Sequence, residues 1–260
     1  MYPLKFNIPA FSLDLNYIPW DTKIIGSDAI QLENFVIRDP IKALIKLKEI
    51  VVNFSKEGVG LATCRLPHES IKESMILESL DFKFIETVLH PFLNLDSYQN
   101  IIEDNSISIK EAEVKELEEL SQIAEVVFRQ DRFSVDSRIP REFSGHRYRN
   151  WVLSCQNHPT QRVFKFSIQQ KTLGFFIIEE DFDLKKAYWH LTAISPEFQN
   201  NGYGKKCWLA MLGLNKANGM KEVSTTISAR NSPVLNLYSK LNFRFLEPEM
   251  TFHWINKMIF

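Results

Sequence analysis

The chain is poor in cysteine, with only Cys64, Cys155 and Cys207 in 260 residues. An odd number without framework spacing argues against a disulfide-stapled secreted fold, and a reducing, cytoplasmic location is expected. Charge of one sign is lacking too. The 31 Lys and Arg face 32 Asp and Glu for a net charge of -1, without the basic excess of a general nucleic-acid binder, so no nucleic-acid partner is expected. No apolar run approaches membrane-spanning length, and the opening MYPLKFNIPAFSLDLNYIPW has no basic start followed by a long apolar stretch. Neither export signal nor membrane anchor is expected. Cys155 and His158 have a spacing found in metal sites but bring no further ligands, so no metal is expected. What is present is ordinary: 45% hydrophobic and 24% charged residues, enough for one large or two small domains.

The C-terminal part opens with ISIKEAEVKELEELSQIAEVVF, a short strand and then a helix with Val114, Leu117, Leu120, Ile123 and Val127 on one face. A second helix begins near Pro140 and runs past Trp151. RVFKFSIQQ and GFFIIEED flank KTLG as a hairpin whose turn ends in Gly174. AYWHLTAI is the next strand. The following helix carries Cys207, Ala210, Met211 and Leu214 and stops at Gly219, which suits a left-handed cap. The strand EVSTTIS, the helix NSPVLNLYSKL and a pair of strands through FRFLEPEMTFHWI complete an α/β domain.

The first hundred residues echo this ending. Shifted by 161, ESLDFKFIE at 78–86 falls on SKLNFRFLE at 239–247 without a gap, and Gly58 falls on Gly219. The pattern predicts two copies of one unit, residues 1–104 and 105–260. In the first copy Ile41 and Ala43 replace Gly202 and Gly204, Ser70 replaces Asn231 and Leu77 replaces Tyr238. It keeps the scaffold without the chemistry, and its expected job is to support the second copy's site.

SPEFQNNGYGKKCWLAML at 195–212 places two glycines at the opening turn of a helix, where each costs roughly 1 kcal/mol relative to alanine. A helix N-terminus leaves N–H groups unpaired and carries partial positive charge, so glycines there suit the close approach of a phosphate. The spacing is neither that of the dinucleotide-binding fingerprint, which needs a third glycine, nor that of a P-loop, which needs Gly-Lys-Ser/Thr.

Gln199, Gly202 and Gly204 match the Gln/Arg-x-x-Gly-x-Gly/Ala loop of GNAT-superfamily acyltransferases. ARNSPVLNLYSKLNF matches a later family segment through Asn231 and Tyr238. From about residue 106 to the end the chain thus resembles that superfamily. Asn242 stands where glycine is usual, and asparagine is the next best residue for a left-handed helix end. The resemblance implies a GNAT fold, a mixed and mostly antiparallel central sheet with flanking helices, preceded by a degenerate GNAT-like half. It implies acetyl-CoA as co-substrate and an amine acceptor. Leu191, Ala193 and Ile194 would line the splayed strand, and Gln199, Asn200, Asn201, Gly202, Tyr203, Gly204 and Lys205 the diphosphate loop. Asn231 would contact CoA or simply cap its helix. Tyr238 would act as acid or merely anchor CoA. His190 would act as base or point into the core, with water as the other candidate base.

DRFSVDSRIPREFSGHRYRNWVLSC at 131–155 and PWDTKIIG at 19–26 are similar to segments of TDP-fucosamine acetyltransferases. That narrower resemblance assigns Arg132, Phe133, Tyr148 and Trp151 to substrate binding. Six arginines against three acids between 129 and 149 fit a compact anion such as a nucleotide-sugar pyrophosphate, although any one of them can equally be an ordinary salt-bridge partner. The expected acceptor is a nucleotide-linked amino sugar. Rival acceptors are a peptide N-terminus, a polyamine or an antibiotic amine, and a rival class is a non-catalytic acyl-CoA sensor. A homodimer is compatible with the sequence.

Overall fold

In the computed structural model the described residues are 2–98 and 106–256, so the expected boundary at 104/105 lies outside them. The first copy runs β1 (Leu4–Ile8), β2 (Phe11–Tyr17), α1 (Pro19–Ile25), β3 (Asp28–Ile37), α2 (Pro40–Lys56), β4 (Val59–Pro67), α3 (Ile71–Ser79) and β5 (Lys83–Asn94). The second runs β6 (Ser108–Glu111), α4 (Leu117–Val127), α5 (Arg132–Val135), α6 (Glu142–Ser154), β7 (Gln161–Ile168), β8 (Lys171–Asp181), β9 (Lys186–Ile194), α7 (Tyr203–Ala217), β10 (Glu222–Thr225), β11 (Ile227–Ser228), α8 (Ser232–Lys240) and β12 (Arg244–Ile255). No helix among the described residues is long and apolar enough to cross a membrane.

The internal repeat is real in three dimensions. α3 and α8 have the same length at the 161-residue offset, as do β5 and β12. Gly58 and Gly219 both take left-handed backbone, at φ 80° and 85°. Asp81 and Asn242, where the two short helices end, do so at 68° and 62°, which bears out the asparagine substitution.

Two compact units do not follow the order of the copies. One comprises Met1–Val88, Gln130–Phe143 and Glu247–Phe260; the other comprises Leu89–Arg129 and Ser144–Leu246. The reason is an exchange of final strands. In the first unit β1, β2, β3 and β4 lie side by side, antiparallel except for β3 with β4, and β12 pairs antiparallel with β4. In the second unit the order is β5, β10, β9, β8, β7, β6, antiparallel except for β9 with β10. The registers obey the repeat: Asn94, Leu93 and Phe92 face Glu222, Val223 and Ser224, while Ile255, Trp254 and His253 face Leu61, Ala62 and Thr63. RFLEPEMTFHWI is accordingly one twelve-residue strand, not the expected pair.

The sheets form where side chains alternate or are apolar on both faces. β9 alternates between buried and half-buried positions, and β8 is buried from Thr172 to Ile178. Trp189, Phe176, Cys207, Met211 and Tyr238 fill one face of the second unit; Leu120, Ala124, Val152, Phe175 and Ile177 fill the other. The β7–β8 turn sits at Gln169 and Gln170, both left-handed, a two-residue hairpin turn rather than one ending at Gly174. Gly174 instead lies within β8, because a Cβ there would stand 2.1 Å from the carbonyl oxygen of Ala193.

Candidate active site

The site in the second unit begins as a fork between two strands. Parallel pairing of β9 with β10 runs from Lys186 opposite Glu222 to Trp189 opposite Thr225 and ends there. The Thr225 hydroxyl donates to the Trp189 carbonyl at 2.7 Å. β9 continues to Ile194 while paired on its other side with β8. Its edge from residue 190 to 194, which includes the expected Leu191, Ala193 and Ile194, therefore has no strand partner on the β10 side among the described residues. The β8–β9 register slips between Ile177 and Ile178, leaving His190 as the extra residue of a bulge; such bulges re-aim side chains.

At the open end of the fork the chain turns into α7. The Gln199 amide donates to the Ile194 carbonyl at 2.9 Å, and Asn201 donates to the Gln199 carbonyl at 3.1 Å. Asn200 and Gly202 are left-handed. Gly202 is the N-cap of α7, makes no side-chain cap, and has empty space where a Cβ would stand. Tyr203 packs edge-on against Phe198, a Cβ on Gly204 would touch Leu237 at 3.7 Å, and Lys205 is exposed. Gly202 thus supplies no side-chain acceptor to the first turn of α7, a cradle that fits a diphosphate. The same helix start in the first copy is closed: Asp39 accepts from the Lys42 amide at 3.2 Å and Pro40 follows it.

Tyr238, on α8, is 2% exposed. Burial pushes its phenol up to about 12, with the Trp208, Thr225 and Thr192 side chains around the hydroxyl pulling the other way. Asn231 caps α8, accepting from the Val234 amide at 3.4 Å, so its plain capping role is present.

His190 lies on the opposite side of β9, among aromatic rings. Its Nε2 is 2.9 Å from Glu179 Oε2. Trp151 approaches edge-on at 6.1 Å and Tyr188 at 4.7 Å. Trp151 in turn lies parallel to Tyr148, which stacks on Phe128 at 4.3 Å, and the Arg147 guanidinium sits over both the Tyr148 and Trp151 rings. Desolvation lowers the His190 pKa, partly offset by Glu179. Tyr148 and Trp151 therefore accompany His190 as a group. Glu179, Tyr188, Thr192, Trp208 and Thr225 were missed by sequence reasoning. Only the alternation of β9 hinted at Tyr188 and Thr192, and the bulge hides the register that brings Glu179 to His190.

Arg132 and Phe133, expected on the substrate, belong to the first unit, where both are engaged by the protein itself. Phe133 is fully buried beside Ile18, Ile25, Leu61 and Ile139, leaving no face for a ligand. Arg132 forms an ion pair with Asp21, which is 0% exposed, and its other terminal nitrogen lies 3.2 Å from His253 Nε2. PWDTKIIG and DRFSVDSR thus meet each other. Arg138 binds Asp136 through two nitrogens, and Arg149 pairs with Glu118 and Glu125, so with Arg132 three of the six arginines are paired with carboxylates of the protein. Cys155 contacts the Trp151 carbonyl and His158 accepts from the Thr160 and Gln161 amides. No group of three or more metal-ligating side chains occurs among the described residues.

The first copy keeps the fork and fills it. Parallel β3–β4 pairing ends at Leu32 opposite Cys64, the counterparts of Trp189 and Thr225. Beyond it the buried Glu73 carboxylate accepts from the Ile37 amide at 2.8 Å, and Lys72 donates to the Ile37 carbonyl at 2.8 Å. Val234 and Pro233 occupy those positions in the second copy and offer no polar side-chain atom.

The profile of the acetyltransferase (GNAT) family matches residues 120–243. No curated protein matches the chain. Among solved structures, a GCN5-related N-acetyltransferase from Sphaerobacter thermophilus superposes with a TM-score of 0.65 at 12% identity, over 94% of this chain and 76% of that one. A tandem GNAT protein from the clavulanic acid biosynthesis pathway gives 0.61 at 11% identity, over 95% and 79%. A GCN5-related glucosamine N-acetyltransferase region of a fungal multi-domain GH3 beta-N-acetylglucosaminidase gives 0.64 at 12%, over 94% and 31%. At such identities these likenesses speak for the fold, and the profile match adds the family: residues 120–243 are an N-acetyltransferase domain of the acetyltransferase (GNAT) family.

Proposed function

We propose that the second copy transfers an acetyl group from acetyl-CoA directly to the amine of a small acceptor, an amino sugar. The observation that carries this is the fork: an unpartnered strand edge, an uncapped helix start at its mouth and a buried phenol between them. Acetyl-CoA supplies the activated thioester and a thiol leaving group. The first-turn amides of α7, with Gln199 to Lys205, hold the diphosphate, and the edge at Leu191, Ala193 and Ile194 pairs with the amide arm. Asn231 adds a hydrogen bond beyond its cap. Tyr238 stays protonated at neutral pH and donates to the departing sulfur. His190 takes the proton from the acceptor.

The aromatic run Tyr148–Trp151, with Arg147 over it, suits the flat apolar face of a sugar or base bearing negative charge. This supports an amino sugar, the acceptor class named for the fungal region, and a nucleotide-linked form such as TDP-fucosamine is the finer reading. Three buried, unbridged cysteines fit work in a reducing cytoplasm. The test is acetyl-CoA-dependent thiol release with free and nucleotide-linked amino sugars, alongside calorimetry with CoA. Tyr238→Phe is expected to bind CoA normally and lose about 10²- to 10⁴-fold in turnover. Unchanged turnover removes Tyr238 from the mechanism, and failure of CoA to bind removes the function.

A further inference from the structure

We propose that Glu179 is a positioning residue: its carboxylate fixes the His190 imidazole so that Nε2 carries the hydrogen and Nδ1 is left to receive the acceptor's proton. The inference rests on the acetyl-transfer reading of this site and assigns a side chain that no motif marks.

The contact is 2.9 Å between Nε2 and Oε2. A carboxylate only accepts, so a neutral ring held this way donates through Nε2. No partner for Nδ1 occurs among the described residues. An ion pair between exposed side chains would mean little, but the His190 side chain is only 18% exposed, and the Trp151 and Tyr188 rings hold it edge-on from two sides. With two rings and one carboxylate as contacts, rotation of the imidazole is suppressed and one nitrogen is presented consistently.

The charges around the ring agree. Glu179 faces it from β8 and His158 from the segment after α6. Tyr188 stands beside it on β9, its hydroxyl engaged with Thr226, and Arg147 lies on α6 over Trp151. The Thr160 hydroxyl and His190 together hold the Glu179 carboxyl below its ordinary range, so it is an anion at neutral pH. Burial keeps His190 neutral at physiological pH, ready to accept. In the step itself the acceptor's N–H bond breaks, an Nδ1–H bond forms, the amine keeps the electron pair, and the new imidazolium is compensated by Glu179. The proton then passes to solvent.

The experiment has two arms. Nitrogen-15 chemical shifts of histidine-labelled protein, with the His190 signal identified by its loss in His190→Gln, read the tautomer without any turnover. The expected result is the Nε2–H form in the wild type and a mixed ring in Glu179→Gln; an Nδ1–H ring, or a ring indifferent to Glu179→Gln, overturns the proposal. In the second arm, kcat/KM for acetyl transfer to a simple amine such as glucosamine is followed against pH. Glu179→Gln is expected to move the rising limb to lower pH and to cut the plateau about tenfold or more, because a ring without its carboxylate is a weaker base. A lower plateau with the limb unmoved marks a purely structural role and also overturns it. Absence of turnover with every amine, alongside the expected tautomer, counts against the acetyl-transfer reading alone.

Discussion

Replacing Arg132 separates two accounts of the same residue. The sequence pattern places it on a substrate; the structure places it against Asp21, which has no exposed surface, with Arg132 itself only 13% exposed. For an exposed pair the loss would be about 0–1 kcal/mol. Here Arg132→Met would strip a desolvated carboxylate of its guanidinium, and breaking a buried pair from one side costs about 3–5 kcal/mol. His253 would lose the donor at its Nε2, and Phe133 a guanidinium 4.7 Å from its ring centre, so the upper part of that range is expected. Urea unfolding followed by both fluorescence and circular dichroism is the assay, with two probes because a chain of two units need not unfold in one step. The double change Asp21→Asn with Arg132→Met removes the stranded charge and is expected to recover a large part of the loss. A stability of Arg132→Met within about 0.5 kcal/mol of wild type, the ordinary range for surface substitutions, would refute the reasoning, and a raised acceptor KM in that variant would return Arg132 to the substrate.

Two further outcomes are expected. His253 is fully buried; Arg132 donates to its Nε2, so its Nδ1 donates to Asp136 at 3.0 Å and the ring is neutral. Burial, opposed by Asp136 and reinforced by the two arginines, lowers its pKa from 6.5 to about 4. The unfolded chain therefore binds a proton that the folded one refuses as pH falls from 6.5 towards 4, and stability should drop across that window by about 3 kcal/mol; His253→Gln should flatten that part of a stability-against-pH curve, and an unaltered curve counts against a neutral ring. Gly174→Ala would place a Cβ 2.1 Å from the Ala193 carbonyl oxygen. Overpacking of that kind typically costs about 1–3 kcal/mol, more where backbone must move, and a melting temperature equal to wild type would show that β8 and β9 can part.

The sequence was most legible where one residue has one physical reason to be there. A helix N-cap asparagine and the left-handed Asn242 read correctly because local backbone demands them. The repeat was visible because equal spacing survives when side chains change. The exchange of final strands was invisible: nothing in FRFLEPEMTFHWI distinguishes pairing with β4 from pairing with β10, since both present a similar apolar edge. The charge surplus is ambiguous for a related reason. A guanidinium that binds a ligand and one that neutralises Asp21 or Asp136 are the same letter, and only burial tells them apart. Glu179 was hidden by a single inserted residue in β9, which shifts by one every pairing that a count along the hairpin would assign.

The two copies make a comparison within one chain in which the scaffold is held constant. Both have a parallel pair that ends at corresponding residues, Leu32 with Cys64 and Trp189 with Thr225, and both receive a final strand in the same register. What differs is what meets the strand edge beyond the fork. In the first copy, Glu73 and Lys72 satisfy the Ile37 amide and carbonyl, and Asp39 caps the helix at the mouth. A buried backbone group must be paired by something, so once side chains of the chain itself do this, a ligand gains nothing by displacing them. In the second copy Val234 and Pro233 withhold polar atoms and Gly202 withholds a side chain. The two copies therefore differ less in the backbone they build than in which side chains meet its hydrogen-bonding edge, with Tyr238 standing where the first copy has Leu77.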